Sequence, residues 1–69
     1  MSPAGKMVRT RMLILEYLQN GPARTSDIRK FVIALYPDAA VYGAMGELHC
    51  NGDIRRLTHE RDARWSKRA

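Results

Sequence analysis

The sequence has a single cysteine, Cys50, so the chain cannot form an internal disulfide bond. It also has no long apolar run: the longest, residues 12–15 and 31–36, fall far short of the roughly 20 residues that span a bilayer. The missing disulfide and the lack of a signal-peptide-like start predict a cytoplasmic protein without a membrane span. Its 69 residues predict one small domain, for which homodimerisation is a candidate source of extra stability.

The motifs of catalysis and cofactor binding are also missing. The sequence contains no phosphate-binding loop, no paired carboxylates and no nucleophile motif, so we expect neither an enzyme nor a cofactor or small-molecule ligand. His49, Cys50 and His59 are candidate metal ligands, but a closed zinc site needs four, and adjacent helical residues diverge by about 100°. We therefore expect no metal site.

Acidic residues are scarce at both ends of the chain. Residues 1–11 carry three basic and no acidic side chains, and residues 55–69 carry six basic and two acidic ones, whereas residues 12–54 have a small acidic excess. Such asymmetry favours a polyanionic partner, although a solvated surface has the same composition. The N-terminal cations Lys6, Arg9 and Arg11 fit either interpretation.

Apolar periodicity predicts three short helices. The first runs from about Thr10, a capping residue, to Asn20, and it follows a flexible leader over residues 1–6 that precedes a domain over residues 7–69. Gly21-Pro22 ends this helix.

The second helix begins at Thr25 or Ser26, either of which can cap it, and ends near Leu35 or Tyr36 because Pro37 follows. The third is predicted from its cap, Asp38, to the stop signal Asn51-Gly52.

The last segment predicts a β-hairpin. Strands over residues 54–58 and 63–66 flank the polar turn at residues 59–62. An isolated hairpin is marginally stable, so we expect Trp65 to anchor it to the helices.

The run over residues 41–54, VYGAMGELHCNGDI, resembles the recognition helix of winged helix-turn-helix proteins and the glycine and strand that follow it. Residues 14–28 resemble that superfamily's first helix, its turn and the start of its second helix. Arg55-Arg56 and Arg64-Trp65 resemble the two strands of its wing, and the likeness extends from Met7 to Lys67. The resemblance implies a mainly α fold with a small β-hairpin (α+β), a three-helix winged helix-turn-helix.

This resemblance also implies double-stranded DNA binding in transcriptional regulation, with the third helix in the major groove and the basic wing on the backbone or in the minor groove. Tyr42 would donate to a base or phosphate, the Ala39 and Ala40 methyls would touch thymine, and Glu47 would accept from cytosine. The candidate DNA-binding residues are Ala39, Ala40, Tyr42, Gly43, Gly46, Glu47, Arg55, Arg56, Arg61, Arg64 and Lys67.

Residues 38–51 contain no lysine or arginine, which departs from the usual recognition helix and shifts the expected affinity to the wing and to the N-terminal segment. Gly43 and Gly46 cost a helix roughly 1 kcal/mol each relative to alanine, so something is expected to need the space they leave. One alternative is a protein-interaction winged-helix module that docks through the face of these two glycines. Another is an RNA-binding winged helix.

Overall fold

The computed structural model describes residues 3–68 as a small α+β domain, which confirms the predicted fold class at that level. Its described part contains three helices and one three-stranded antiparallel sheet. The elements in chain order are α1 (Pro3–Leu18), β1 (Ala23–Arg24), α2 (Thr25–Leu35), α3 (Val41–Cys50), β2 (Ile54–Arg56) and β3 (Arg64–Lys67). None of these helices combines the length and apolar character needed to cross a membrane.

Helix α1 begins seven residues before the predicted start at Thr10, so that prediction was wrong. The Thr10 side chain is buried, and its hydroxyl donates to the carbonyl of Lys6 at 2.9 Å, one turn back, instead of capping a helix end. Met7 packs against the core, which explains the extra turns. Residues 3–6, which we assigned to the leader, are helical; residues 1–2 and 69 lie outside the described part.

One apolar core joins the three helices to β2. Ile14 of α1 and Ile28 of α2 are 0% exposed, and Leu48 of α3 is 2% exposed. Complete burial of a side chain of this size contributes about 1.5–3 kcal/mol. The full set of core residues is Ile14, Leu18, Ile28, Val32, Val41, Ala44, Met45, Leu48 and Ile54.

Helix α2 is not capped by its own Thr25 or Ser26, contrary to the sequence prediction. Arg24 occupies the N-cap position and makes no side-chain cap bond. The carboxylate of Asp62, from the hairpin, accepts the Ser26 amide at 2.9 Å and the Ser26 hydroxyl at 2.7 Å. The amide of Thr25 donates to the carbonyl of Ala63 at 3.0 Å. The hydrogen-bonding groups at the start of this helix are therefore paired with groups of the hairpin.

Helix α3 begins at Val41, three residues after the predicted cap, and Asp38 makes no cap there. The amide of Ala39 donates to the carbonyl of Tyr36 at 3.1 Å, so residues 36–39 form a turn before the helix starts. The predicted stop is confirmed: Gly52 follows with φ +79°, in the left-handed region that glycine tolerates.

The predicted hairpin is confirmed, with a first strand two residues shorter than predicted, a second strand shifted by one residue and a longer loop. Strand β3 lies in the centre of the sheet, between β1 and β2. The hydroxyl of Thr58 accepts the Arg64 amide at 3.0 Å, and the Arg56 guanidinium donates to the carbonyls of Thr58 at 2.8 Å and Glu60 at 3.1 Å. These bonds hold residues 57–63 as an ordered loop. Strand β1, only two residues long, was not predicted.

Candidate nucleic-acid interface

The strand register sorts the hairpin side chains onto two faces of the sheet. Arg56 pairs with Trp65, and Ile54 pairs with the other end of β3. Successive side chains of a strand point to opposite faces, so Ile54, Arg56 and Trp65 share the face that packs on the helices. Arg55 and Arg64 lie on the opposite, outer face.

Trp65 anchors the inner face, as the sequence predicted. Its indole nitrogen donates to the hydroxyl of Thr25 at 2.8 Å, and that hydroxyl donates to the carbonyl of Ala63 at 3.1 Å. The His49 ring meets the indole edge-on, with 5.2 Å between ring centroids. This chain of contacts links the sheet to the start of α2 and to the last turn of α3.

A groove of about 270 Å³ lies between α3 and the inner face of the hairpin. Tyr42 and Gly46 form its helical side, and Arg56 and Arg61 form its hairpin side. Four of the residues predicted from the sequence are thus brought together. Thr25, Met45, Ala63 and Trp65 complete the lining.

Arg56 and Arg61, the two arginines of the groove, differ in whether their guanidinium groups already have partners. The Arg56 guanidinium is occupied by loop carbonyls and lies 5.9 Å from the centre of the Trp65 ring. Arg61 is exposed, and within residues 3–68 its side chain has no hydrogen-bond or ion-pair partner. Arg56 therefore shapes the loop, whereas Arg61 is available to an anion.

Asp62 fixes the loop that carries Arg61. The hydroxyl and then the amide of Ser26 hold the pKa of the Asp62 carboxyl below its ordinary value, with smaller contributions from the charges of Arg24 and Lys30. The carboxylate therefore stays ionised at neutral pH and complements the positive end of α2. Hairpin and helix α2 are held in one arrangement as a result.

A second hollow continues the groove toward the start of α3. Arg29 of α2 lines it together with Ala39, Ala40, Tyr42 and Gly43. Tyr42 is 66% exposed and forms a shared wall between the groove and this hollow. The sequence analysis did not identify Arg29. The sequence shows that Arg29 lies off the apolar stripe of α2, but its position beside α3 depends on how the two helices pack.

The structure does not bring every predicted residue to the groove. The Glu47 carboxylate forms an ion pair with Arg11, on the flank of α3 that faces α1. Lys67 lies at the far end of β3, next to Leu18, the last residue of α1, and Gln19, which follows it. Arg55 and Arg64 belong to the outer face, so the arginines that we predicted to act together are divided between two surfaces.

Two of the basic residues near the N-terminus contact other parts of the fold. Besides the contact of Arg11 with Glu47, the Arg9 guanidinium lies 5.5 Å from the centre of the Tyr36 ring. Neither residue lines the groove.

His49 and Cys50 are exposed neighbours on the last turn of α3. Among the described residues, no three His, Cys, Asp or Glu side chains form a group that could hold a metal ion.

Comparison with known proteins gives no match: no family model fits the chain, and no curated protein or solved structure is significantly similar to it.

Proposed function

We propose that this domain binds double-stranded DNA as a winged helix-turn-helix, with α3 directed at the major groove and the hairpin loop on the adjacent backbone. The observation that carries the proposal is the groove between α3 and the hairpin. There an exposed tyrosine and a glycine of the helix face Arg56 and Arg61 of the hairpin. Regulation of transcription is the role that this mode of binding supports.

Helix α3 presents a small and nearly neutral surface to DNA. Ala40, Gly43 and Gly46 are exposed, and the helix contains no lysine or arginine. Tyr42 is the only exposed long side chain of α3 that lines the groove, and its hydroxyl can bond a base edge or a phosphate. Base recognition through α3 is therefore limited.

Affinity comes instead from the arginines on either side of α3. Arg29 lies beside the start of α3, and Arg61 lies across the groove. Guanidinium groups bind phosphate oxygens through two parallel hydrogen bonds, so this pair can hold the backbone on both sides of an inserted helix. Contacts of this kind give strong, salt-dependent binding with little sequence preference.

The two glycines of α3 are not required by the fold. A Cβ at Gly46 would meet nothing within 4 Å, and one at Gly43 would lie 3.7 Å from the Met7 terminal carbon, an ordinary contact. Both have helical rather than positive φ values. Their helix-propensity cost therefore points to a surface outside this chain that approaches α3 closely.

That surface is DNA under our proposal, and a protein under the alternative. Gly46→Arg distinguishes the two. On the DNA proposal it changes duplex affinity without changing the sedimentation of the protein. Unchanged duplex affinity together with loss of a self-associated species would support docking of a second protein on this face.

The test of DNA binding is a titration of a fluorescent 20-base-pair duplex, followed by anisotropy. Arg61→Gln should weaken binding roughly five- to ten-fold, the equivalent of about 1–1.4 kcal/mol, which is within the range of a typical net hydrogen bond. Lys30→Gln, which removes the same charge from an exposed site outside the groove, is the control and should have less than a two-fold effect. Equal effects of the two variants, or stronger binding of single-stranded or duplex RNA, would contradict the proposal.

A further inference from the structure

Three arginines project from the outer face of the sheet. Arg24 of β1 is the direct cross-strand partner of Arg64 of β3. Arg55 of β2 pairs with Ser66, two residues further along β3, so it shares this face. All three arginines are exposed.

The fold itself gives no reason for this cluster. Like charges directly opposite one another on neighbouring strands destabilise a sheet. Within residues 3–68, none of the three arginines forms an ion pair; Asp62 acts on Arg24 electrostatically, but its oxygens are already bonded to Ser26. The sheet is held by its inner face, where Ile54 is buried and Trp65 is bonded to Thr25.

We propose that the outer face binds a second phosphodiester backbone, so that one domain bridges two DNA segments; this rests on the proposed function of the groove. Cross-strand partners have Cβ atoms about 4.5–5.5 Å apart, and diagonal neighbours about 7–8 Å. Arg24 and Arg64 can therefore share one phosphate, while Arg55 reaches a neighbouring one. A bound phosphate would also relieve the repulsion between the paired arginines.

The outer face and the groove are separate surfaces. Helix α3 packs on the inner side of the sheet, where Arg56 and Trp65 line the groove, and the three outer arginines point the other way. Variants can therefore remove one surface and leave the other. Because the cluster is made of guanidinium groups at regular strand spacing, it favours a repeating anion over an irregular acidic protein surface.

The experiment is sedimentation velocity of the full chain with an excess of a 12-base-pair duplex at low salt, with the protein alone giving the reference mass. We expect two duplexes per protein for the natural chain and for the charge-matched control Lys30→Gln/Lys67→Gln. The outer-face variant Arg24→Gln/Arg64→Gln and the groove variant Arg29→Gln/Arg61→Gln should each bind one. Circular dichroism verifies that every variant is folded.

The two proposals fail in different ways. One duplex on the natural chain, with no change in the outer-face variant, would overturn the outer-face proposal and leave the groove proposal standing. If the groove variant binds as many duplexes as the natural chain and the outer-face variant binds none, the groove proposal is overturned. Binding by none of the proteins would overturn both.

A second readout does not depend on DNA. If the paired arginines repel one another, Arg64→Gln should raise Tm by roughly 1–4 °C at low salt, because it removes that repulsion and leaves the attraction between Arg24 and Asp62 in place. The gain should shrink as salt screens the charges. A lower Tm at low salt would show that the arginines stabilise the sheet, and would overturn the argument that they are retained for a ligand.

Discussion

The helices and the sheet of this domain are held by different kinds of interaction. Ile14, Ile28 and Leu48 join the three helices through side chains that are almost completely buried. The hairpin instead meets α2 through a few polar bonds, Trp65 to Thr25 and Asp62 to Ser26, with Ile54 reaching the core. The core thus keeps the chain folded, whereas polar bonds position the hairpin that carries the basic side chains.

This comparison predicts that a substitution in the helical core causes the largest loss of stability. Leu48→Ala should cost about 2–5 kcal/mol, since it empties a site that is 2% exposed. A domain of this size has a total stability of only a few kcal/mol up to about 10, so this loss is a large fraction of it. Urea denaturation followed by circular dichroism measures the loss. Leu57→Ala, in the hairpin loop and 43% exposed, is the matched control and should cost less than about 1 kcal/mol.

The next largest effect is expected where the hairpin joins α2. Thr25→Val removes the acceptor of the Trp65 indole and the donor to Ala63, and should cost about 1–3 kcal/mol because the indole N–H loses its partner. Thr25→Ser keeps the hydroxyl and should cost less. Thermal melts compare the two, and equal losses would mean that these bonds do not attach the hairpin.

The Asp62 bond predicts a pH dependence. Because the pKa of Asp62 is lowered in the folded chain, its carboxylate stabilises the fold above its ordinary pKa of about 3.9, and this contribution is lost as the pH falls through the lower, folded value. Asp62→Asn should therefore melt below the natural chain at pH 7 and pH 5, and the difference should shrink toward pH 3. Asp53→Asn, at an exposed carboxylate in the turn before β2, is the control. A difference that stays constant from pH 7 to pH 3 would contradict the capping role of Asp62.

The smallest effect is expected at the ion pair between α1 and α3. Glu47→Gln breaks a partly exposed pair with Arg11 and should cost at most about 1 kcal/mol. It also removes a negative charge from α3 and frees Arg11, so duplex affinity should rise by up to a few-fold at low salt. The duplex titration measures this change. Weaker binding would instead support the DNA contact that the sequence predicted for Glu47.

Local patterns predicted the helices better than they predicted how the helices begin. The apolar stripes identified all three, and Pro37 and Gly52 marked where α2 and α3 end. The capping residues predicted for all three helices were wrong: Thr10 is inside a longer helix, Asp38 lies before the start of α3, and α2 is capped by Asp62, 36 residues away from Ser26. No local pattern reveals a bond across that distance.

The sequence predicted which residues take part in the candidate site better than it predicted how they are arranged. Tyr42, Gly46, Arg56 and Arg61 meet in one groove, but Arg64 does not join them. Its place on the outer face follows from the alternation of side chains along β3, since its neighbour Trp65 points inward. That Arg24 lies opposite Arg64 was not predicted, because β1 is a two-residue strand without a sequence signal of its own. Arg29 was missed for a similar reason, since its role depends on the packing of α2 against α3.

The most direct test of DNA binding through the groove is the salt dependence of duplex affinity for the natural chain and for Arg29→Gln/Arg61→Gln. If about four to six phosphates are neutralised, log K should fall with log salt at a slope of roughly −4 to −5. Removing Arg29 and Arg61 should make the slope shallower by about two, whereas Lys30→Gln/Lys67→Gln should leave it nearly unchanged. A flat salt response of the natural chain, or equal slopes for the groove variant and the control, would contradict the account.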